Sequence, residues 1–196
     1  MRIPLSNITI RKATPEDARA MAEFSNFAGE GMSLYLWERM AEEGENAWEV
    51  GRRRAAREEG GFSYRNAIIA EVEGEVAACL IGYVTPDEPE VIDYETMPAM
   101  FVPLQELEDL RPGHWYTEIL SAYPQFRGQG IGTRLLEYAE QQMAGAASKG
   151  FSIIVSDANP GARRLYERCG YSELAAREMV KDDWENPGRN WVLLVK

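Results

Sequence analysis

The hydrophobic residues of the chain recur with two periods, one typical of strands and one typical of helices. Apolar residues spaced three and four positions apart predict helices, and in the first of them this face consists of Ala18, Met21, Ala22, Ser25 and Ala28. The segments follow one another in the order βααββ and then βαβαββ, which predicts an α/β (α+β) fold without an internal repeat. Short apolar or alternating runs predict the strands, over residues 8–11, 67–72, 75–81, 115–123, 151–155, 171–180 and 190–195.

Capping and turn residues predict where several of these elements begin and end. Residues 14–17 have the sequence of a capping box with proline at the first helical position. Asn159 is expected to cap a later helix, which Gly170 closes, and Gly74 is expected to be the turn of a hairpin. Residues 34–40 and 48–58 are predicted to form one broken helix or two short ones, and a further helix is predicted over residues 132–149.

Two segments are strongly charged. The segment 85–112 is acidic, and four prolines interrupt it before Arg111, at positions 86, 89, 98 and 103, so only a short helix over residues 104–110 is expected within it. This insert is either a substrate-side loop or a solvated acidic segment, and its carboxylates are Asp87, Glu88, Glu90, Asp93, Glu95, Glu106, Glu108 and Asp109. The predicted helix over 48–58 carries a basic run, interpreted as a solvated helix face: Arg52, Arg53, Arg54 and Arg57.

Length and composition limit the classes of protein that fit. A chain of 196 residues predicts one domain over residues 1–196, which is large enough to form a core without disulfides or a structural metal. Cys79 and Cys169 lie far apart and no signal peptide is visible, so a cytoplasmic location is expected. The longest apolar run, near residues 76–84, is too short to cross a bilayer. The formal charge of −11 argues against nucleic acid as a partner, because binding to phosphate backbones requires a basic surface.

A glycine-rich segment at residues 125–133, the glycine loop, joins a predicted strand to a predicted helix. Gly128, Gly130 and Gly132 leave backbone amides open to a ligand, and the helix start adds its positive end, so the loop is a candidate phosphate site. A Walker loop would have lysine after its last glycine, where this chain has Thr133. A dinucleotide fingerprint that began at Gly128 would need its third glycine at position 133, which is also occupied by Thr133.

Two motifs resemble one known family. The first is Arg-x-x-Gly-x-Gly over residues 127–132, and the second is Asn-x-x-Ala-x-x-Leu-Tyr-x-x-x-Gly-Tyr over residues 159–171. In this order and spacing they are similar to the GNAT superfamily of N-acetyltransferases, and the resemblance is specific over residues 115–171. It implies a mixed, splayed central β-sheet flanked by helices. It also implies acetyl-CoA as cosubstrate, no metal, and transfer of an acetyl group to a primary amine.

The resemblance also implies which residues bind the cofactor. The glycine loop would hold the diphosphate, with Arg127 matching its charge, and the end of the preceding strand would bond the pantetheine and thioester through backbone groups. Asn159 is either a plain helix cap or a cap that also contacts the cofactor's arm. The expected cofactor-binding residues are Ser121, Ala122, Tyr123, Arg127, Gly128, Gln129, Gly130, Ile131, Gly132, Thr133, Asn159 and Tyr166.

Two side chains are candidates for proton transfer. Glu118 lies in the strand before the glycine loop and is the candidate general base, acting directly or through a water; the alternative is a strand carboxylate paired with a basic neighbour. Tyr166 is the candidate general acid toward the departing thiolate; the alternative is a core tyrosine on an apolar helix stripe. The single histidine, His114, leaves no second histidine for a zinc site, and there is no Gly-x-Ser-x-Gly elbow for a serine triad.

The charge distribution suggests the kind of acceptor. Residues 1–112 contain 22 acidic and 11 basic residues, whereas residues 113–196 contain 10 of each. An acidic surface attracts cations, so the expected partner is a cationic small-molecule amine; the alternative is that the carboxylates only keep the protein soluble. The sequence leaves open whether the protein forms a homodimer. The competing hypothesis is a non-catalytic protein that binds or senses acyl-CoA.

Overall fold

The computed structural model of the protein describes residues 7–89, 96–143 and 149–196. Its strands are β1 (Ile8–Lys12), β2 (Ala67–Val72), β3 (Glu75–Val84), β4 (Trp115–Ala122), β5 (Phe151–Ser156), β6 (Ser172–Glu178) and β7 (Asn190–Val195). Its helices are α1 (Ala18–Ala28), α2 (Met32–Met40), α3 (Ala47–Ala55), α4 (Val102–Glu108), α5 (Ile131–Met143) and α6 (Pro160–Arg168). The predicted mixed α/β class is confirmed.

The strands form one mixed sheet in the order β1-β2-β3-β4-β5-β7-β6. β1 pairs antiparallel with β2, and β2 with β3 through a turn in which Glu73 and Gly74 have φ values of 54° and 84°. β4 pairs parallel with β5 at the start of both strands, where Trp115 lies opposite Phe151. β7 pairs antiparallel with both β5 and β6, so the last strand of the chain lies between them. The predicted mixed sheet and the final antiparallel pair are confirmed.

The chain divides into two compact units. The first contains the residues up to Gly82 and Glu118–Tyr138, and the second contains Tyr83–Thr117 and Ala139–Lys196. The boundary falls within β4, so Trp115 belongs to the second unit and Glu118 to the first. The sequence-based expectation of one domain over residues 1–196 stays a prediction.

The core of the first unit is built from α1, α2 and α3 against β2, β3 and β4. Met21, Phe24, Val50 and Ile69 have no exposed surface, and Ile119 of β4 belongs to the same cluster. The predicted apolar face of α1 is buried, with Ala28 packed at its edge.

Close packing of α3 on α2 explains a glycine in the middle of α3. A Cβ on Gly51 would lie 2.5 Å from the Trp37 ring, which is itself held between Trp48 and Phe62 at centroid distances of 6.2 and 5.9 Å. The helices therefore approach each other at a distance that no side chain at position 51 would allow.

The predicted capping box at residues 14–17 is present and is tied to the sheet. The Asp17 carboxylate accepts a hydrogen bond from the Thr14 amide at 2.8 Å and two from the Arg11 guanidinium at 2.8 and 2.9 Å. Arg11 also donates to Glu71 of β2 at 2.7 Å. Burial would raise the pKa of the Asp17 carboxyl, but the hydrogen bonds from Arg11 and Thr14 lower it overall. The start of α1 is thus fixed to both strands.

The second unit is centred on β5, β7 and β6. Leu193 and Leu194 of β7 have no exposed surface, and Trp191 stacks on Trp184 with ring centroids 6.0 Å apart. Asp157, just after β5, accepts hydrogen bonds from the amides of Arg189 and Asn190 at 2.9 and 3.0 Å. These bonds hold the start of β7 beside the end of β5.

Several predicted boundaries differ from the structure. The helix predicted over 48–58 ends at Ala55, and the short helix predicted over 104–110 is α4, two residues earlier. The helix predicted over 132–149 is described from Ile131 to Met143, and Lys149 is not helical. Acidic residues 90, 93 and 95 of the insert lie outside the described residues. No helix in the part of the chain that the structure describes has the length and apolar character needed to cross a membrane.

Candidate active site

The glycine loop connects β4 to α5 within eight residues. A single 3-10 turn over Pro124–Phe126 follows the strand, and the Phe126 amide donates to the Tyr123 carbonyl at 2.9 Å. Gly128 and Gly130 then have φ values of 73° and 86°, which lie in the left-handed region that favours glycine. The chain can therefore leave the strand and start a helix at once because these two residues have no Cβ.

The backbone around these glycines fits a bound phosphate group. A Cβ built on Gly128 or Gly130 would find no atom within 4 Å, so that side of the loop is open. The helical hydrogen bonds of α5 begin with the Arg134 amide, which donates to the Gly130 carbonyl at 3.2 Å. The earlier amides of a helix have no acceptor within it and carry the positive end of its dipole. Gly132 has an ordinary helical conformation, so its role is limited to the absence of a side chain.

The Arg127 side chain anchors the loop to the strand. Its Nε donates to the Ala122 carbonyl at 3.0 Å, and its Cζ lies 5.5 Å from the centre of the Phe27 ring in α1. Its amide donates to the Pro124 carbonyl at 3.3 Å. From the sequence, Arg127 is expected to match the phosphate charge. The contacts that the structure shows are with the protein itself.

The backbone amides at the end of β4 differ in whether they are available to donate a hydrogen bond to a ligand. The Tyr123 amide donates to the Ala77 carbonyl of β3 at 3.0 Å, so it is already used. Backbone groups of neighbouring residues in a strand point in opposite directions, so the Ala122 amide points away from β3. By the same alternation, the Ser121 amide points toward β3, as the Tyr123 amide does. Of the three positions expected to bond the thioester, Ala122 is therefore the strongest candidate.

The Tyr123 side chain fixes this strand end to α1. Its hydroxyl donates to Glu23 Oε2 at 2.6 Å, and its ring centre lies 4.5 Å from that of Phe24. Burial raises the pKa of the Tyr123 hydroxyl, and the hydrogen bond to Glu23 raises it further. The two partners are 100 positions apart in the sequence. No local pattern indicated this contact.

Glu118 is half-buried in β4 and interacts electrostatically with Arg54 at the end of α3. Arg53 forms an ion pair with Glu45 at 3.0 Å, as a solvated helix face would, but Arg54 is half-buried. Burial lowers the pKa of Arg54, Arg57 lowers it further, and Glu118 raises it. The interpretation of the basic run as a solvated face is therefore wrong at Arg54. The sequence could not show this because consecutive arginines at positions 52, 53 and 54 of a helix point in different directions.

Asn159 and Tyr166 lie in the second unit. Asn159 caps α6, since its Oδ1 accepts a hydrogen bond from the Ala162 amide at 3.1 Å. Tyr166 is 5% exposed, and its ring centre lies 6.1 Å from that of Tyr171. Burial raises the pKa of the Tyr166 hydroxyl, so this phenol stays protonated near neutral pH. The residues of the glycine loop, Ser121 to Tyr123 and Glu118 belong to the first unit.

The described residues include no group of His, Cys, Asp and Glu side chains that could hold a metal ion. Cys79 is buried and Cys169 is partly buried, and neither forms a disulfide. Burial raises the pKa of the Cys79 thiol and keeps it from acting as a thiolate nucleophile.

The chain is similar to a known protein family and to several solved structures. The model of the acetyltransferase (GNAT) family matches residues 32–171. An N-acetyltransferase from Staphylococcus aureus Mu50 is 20% identical with a TM-score of 0.68, over 96% of this chain and 100% of that one. Another acetyltransferase is 28% identical with a TM-score of 0.65, over 96% and 98%. The polyamine N-acetyltransferase of Drosophila melanogaster, which forms N-acetylagmatine, is 16% identical with a TM-score of 0.64, over 96% and 99%.

Replacing Gly130 by alanine should weaken the binding of acetyl-CoA about tenfold or more, because the new Cβ points into the open side of the loop; tenfold corresponds to about 1.4 kcal/mol. Gly74→Ala is a matched control, since Gly74 also has a left-handed φ, 84° against 86°, and no atom within 4 Å of an added Cβ. Each variant should lose about 1–2 kcal/mol of folding stability from backbone strain.

Calorimetric titration with acetyl-CoA and urea unfolding would measure both effects. If Gly130→Ala bound acetyl-CoA as tightly as Gly74→Ala, the open side of the loop would not be the binding surface.

Proposed function

The chain belongs to the GNAT family of acetyltransferases, and on this premise we propose that it transfers an acetyl group from acetyl-CoA to a primary amine of a cationic small molecule. The family is one of acyltransferases, so the predicted enzyme class is confirmed, and membership implies the use of acetyl-CoA. The observation that supports the proposal most strongly is the open glycine loop between β4 and α5, in which Gly128 and Gly130 are left-handed.

Cofactor binding is assigned to the backbone of the first unit. The amides of residues 128–133 would bond the diphosphate at the positive end of α5. The Ala122 amide, which points away from β3, would donate to the thioester carbonyl and stabilise negative charge on its oxygen during the reaction. Arg127 holds the loop in place through its contacts with Ala122 and Phe27. Tyr123 holds the strand end in place through its hydrogen bond to Glu23, so both parts are positioned before the cofactor binds.

Two proton transfers complete the reaction. An amine reaches the protein mainly as an ammonium ion, and Glu118 would accept a proton from it so that the nitrogen can attack the thioester carbon. The carbon–sulfur bond would then break, Tyr166 would donate its phenolic proton to the departing thiolate, and the second proton of the nitrogen would pass to water as the amide forms. The Tyr166 phenol is protonated at neutral pH and so has a proton to give, and burial, which raises its pKa, makes it a weaker acid than a solvated phenol.

The preference for a cationic acceptor rests on the charge of the chain outside the two motifs. Residues 1–112 hold all of the excess negative charge. Within the described part of the acidic insert, Glu88 is exposed, whereas Asp87 forms an ion pair with Lys149 at 2.9 Å and so contributes less to an attractive field. An ammonium ion would be concentrated near such a surface at low salt.

The Tyr166→Phe variant should fold normally and release thiol from acetyl-CoA about tenfold more slowly or worse, because a general acid contributes about 10² to 10⁴ in rate. Tyr171→Phe is the matched control, since Tyr171 is also buried and lies against the same ring. Thiol release would be measured for the parent and both variants with a panel of primary amines. Equal rates for the two variants would leave Tyr166 as a core residue, and binding of acetyl-CoA without thiol release by the parent would contradict the proposed reaction.

Neutralising Asp87, Glu88, Glu90 and Asp93 together should raise the KM for a cationic amine at low salt and have little effect at high salt. The reason is that the Debye length falls from about 10 Å at 0.1 M salt to about 3 Å at 1 M, which screens attraction between exposed charges. Steady-state kinetics at both salt concentrations would show this. An unchanged low-salt KM, or a best substrate without a positive charge, would refute electrostatic steering.

A further inference from the structure

The Arg54 side chain differs from those of Arg53 and Arg65 in having no carboxylate partner within the part of the chain that the structure describes. It lies in the last turn of α3, next to Ala55, which has no exposed surface, and it is itself half-buried. Among the described residues, its guanidinium forms no ion pair and no side-chain hydrogen bond. A guanidinium has five donors, and partial burial removes water that would otherwise satisfy them.

In other arginines of the first unit, hydrogen-bonded carboxylates compensate the positive charge. Arg11 donates to two carboxylates, and its hydrogen bond with Asp17 raises its pKa. Hydrogen bonds with Glu45 and Glu58 likewise raise the pKa of Arg53 and of Arg65. Arg54 is the one described arginine whose pKa is lowered, by burial and then by Arg57, with only Glu118 acting in the opposite direction. Its surroundings are therefore those of a cation that an added anion would stabilise.

We propose that Arg54 binds a carboxylate of the acceptor, so that the substrate carries this group together with the ammonium that loses its proton to Glu118. The inference rests on the proposed function and narrows its acceptor class to amino acids and similar compounds. The negative charge of Glu118 acts electrostatically on Arg54, and no direct ion pair joins these two described residues. A molecule with one ammonium and one carboxylate matches such a pair, and a planar guanidinium can bond both carboxylate oxygens.

The position of Glu118 along β4 favours the acceptor over the cofactor as the source of the anion. The strand continues from Glu118 to Ala122, a distance of about 13 Å for four steps of an extended chain, before the glycine loop begins. An anion bound by Arg54, whose charge interacts with that of Glu118, is therefore far along the chain from the amides assigned to the diphosphate. A basic amino acid, which keeps a net positive charge, would satisfy both this proposal and steering by an acidic surface.

The test uses acceptors that share an amine and differ in the carboxylate. Lysine, lysinamide and 1,5-diaminopentane form one such set, and further amino acids with their carboxamides extend it. The full-length parent should show a kcat/KM at least about tenfold higher for the amino acids, since hydrogen bonds to charged groups are the stronger ones. In Arg54→Ala this preference should disappear through a higher KM, while kcat/KM for the carboxamides changes less than about twofold. Arg54→Lys should restore part of the preference, because a single ammonium can replace part of the fork.

Arg52→Ala is the matched control, because Arg52 lies on the same helix with Glu49 at 3.9 Å and should leave the preference intact. Thermal unfolding would confirm that each variant folds. Thiol release with other amines but no preference for carboxylates would overturn the inference and leave the proposed function standing. A higher KM for acetyl-CoA in Arg54→Ala would show that Arg54 serves a cofactor phosphate and would also overturn it. The absence of thiol release with every amine would overturn the proposed function, and the inference with it.

Discussion

The connection from β4 to α5 depends on two left-handed backbone conformations, at Gly128 and Gly130. Any other residue would cost about 1–2 kcal/mol at each position, because its Cβ would approach the following carbonyl oxygen. The same missing Cβ atoms leave one side of the loop open and its amides uncovered. A single property of glycine thus allows the tight connection and creates the surface that suits a diphosphate. The contacts of Arg127 with Ala122 and Phe27 then hold this surface to the strand and to α1.

Charge compensation separates the structural ion pairs of the first unit from its candidate functional groups. The Arg11 guanidinium is satisfied by Asp17 and Glu71, and the result is a fixed junction between β1, β2 and the start of α1. Arg54 has no such carboxylate in direct contact among the described residues, and Glu118 acts on it only electrostatically. Because the desolvation of a charge is costly, a half-buried cation of this kind is expected where a ligand supplies the missing partner.

Local signals in the sequence were sufficient for much of the fold. The Asn159 cap, the Glu73–Gly74 turn and the capping box at residues 14–17 each involve neighbours within a few positions, and all three occur as predicted. Two family motifs, with helix α5 and strand β5 between them, identified the acetyltransferase family, which the match over residues 32–171 confirms. The glycine loop could also be located from the sequence, because its closely spaced glycines mark a turn whose backbone is free of Cβ atoms.

The features that the sequence did not predict all depend on distant parts of the chain. The hydrogen bond from Tyr123 to Glu23 joins residues 100 positions apart, and the placement of β7 between β5 and β6 depends on pairings that no local pattern specifies. The burial of Arg54 depends on how α3 packs, which Gly51 permits by its close approach to Trp37. The roles of Glu118 and Tyr166 stay predictions, since the support is the place of Glu118 in the strand before the glycine loop and the place of Tyr166 in the second motif.

Hydrogen exchange of the backbone amides, followed with and without saturating acetyl-CoA, measures most directly whether the loop between β4 and α5 binds the cofactor. Binding as proposed should slow exchange at residues 128–133 and at Ala122, because these amides would donate to the diphosphate and the thioester. Exchange at the Glu73–Gly74 turn, which has the same left-handed geometry, should stay unchanged. Unaltered exchange at residues 128–133 in the presence of bound acetyl-CoA would contradict the assignment of the glycine loop.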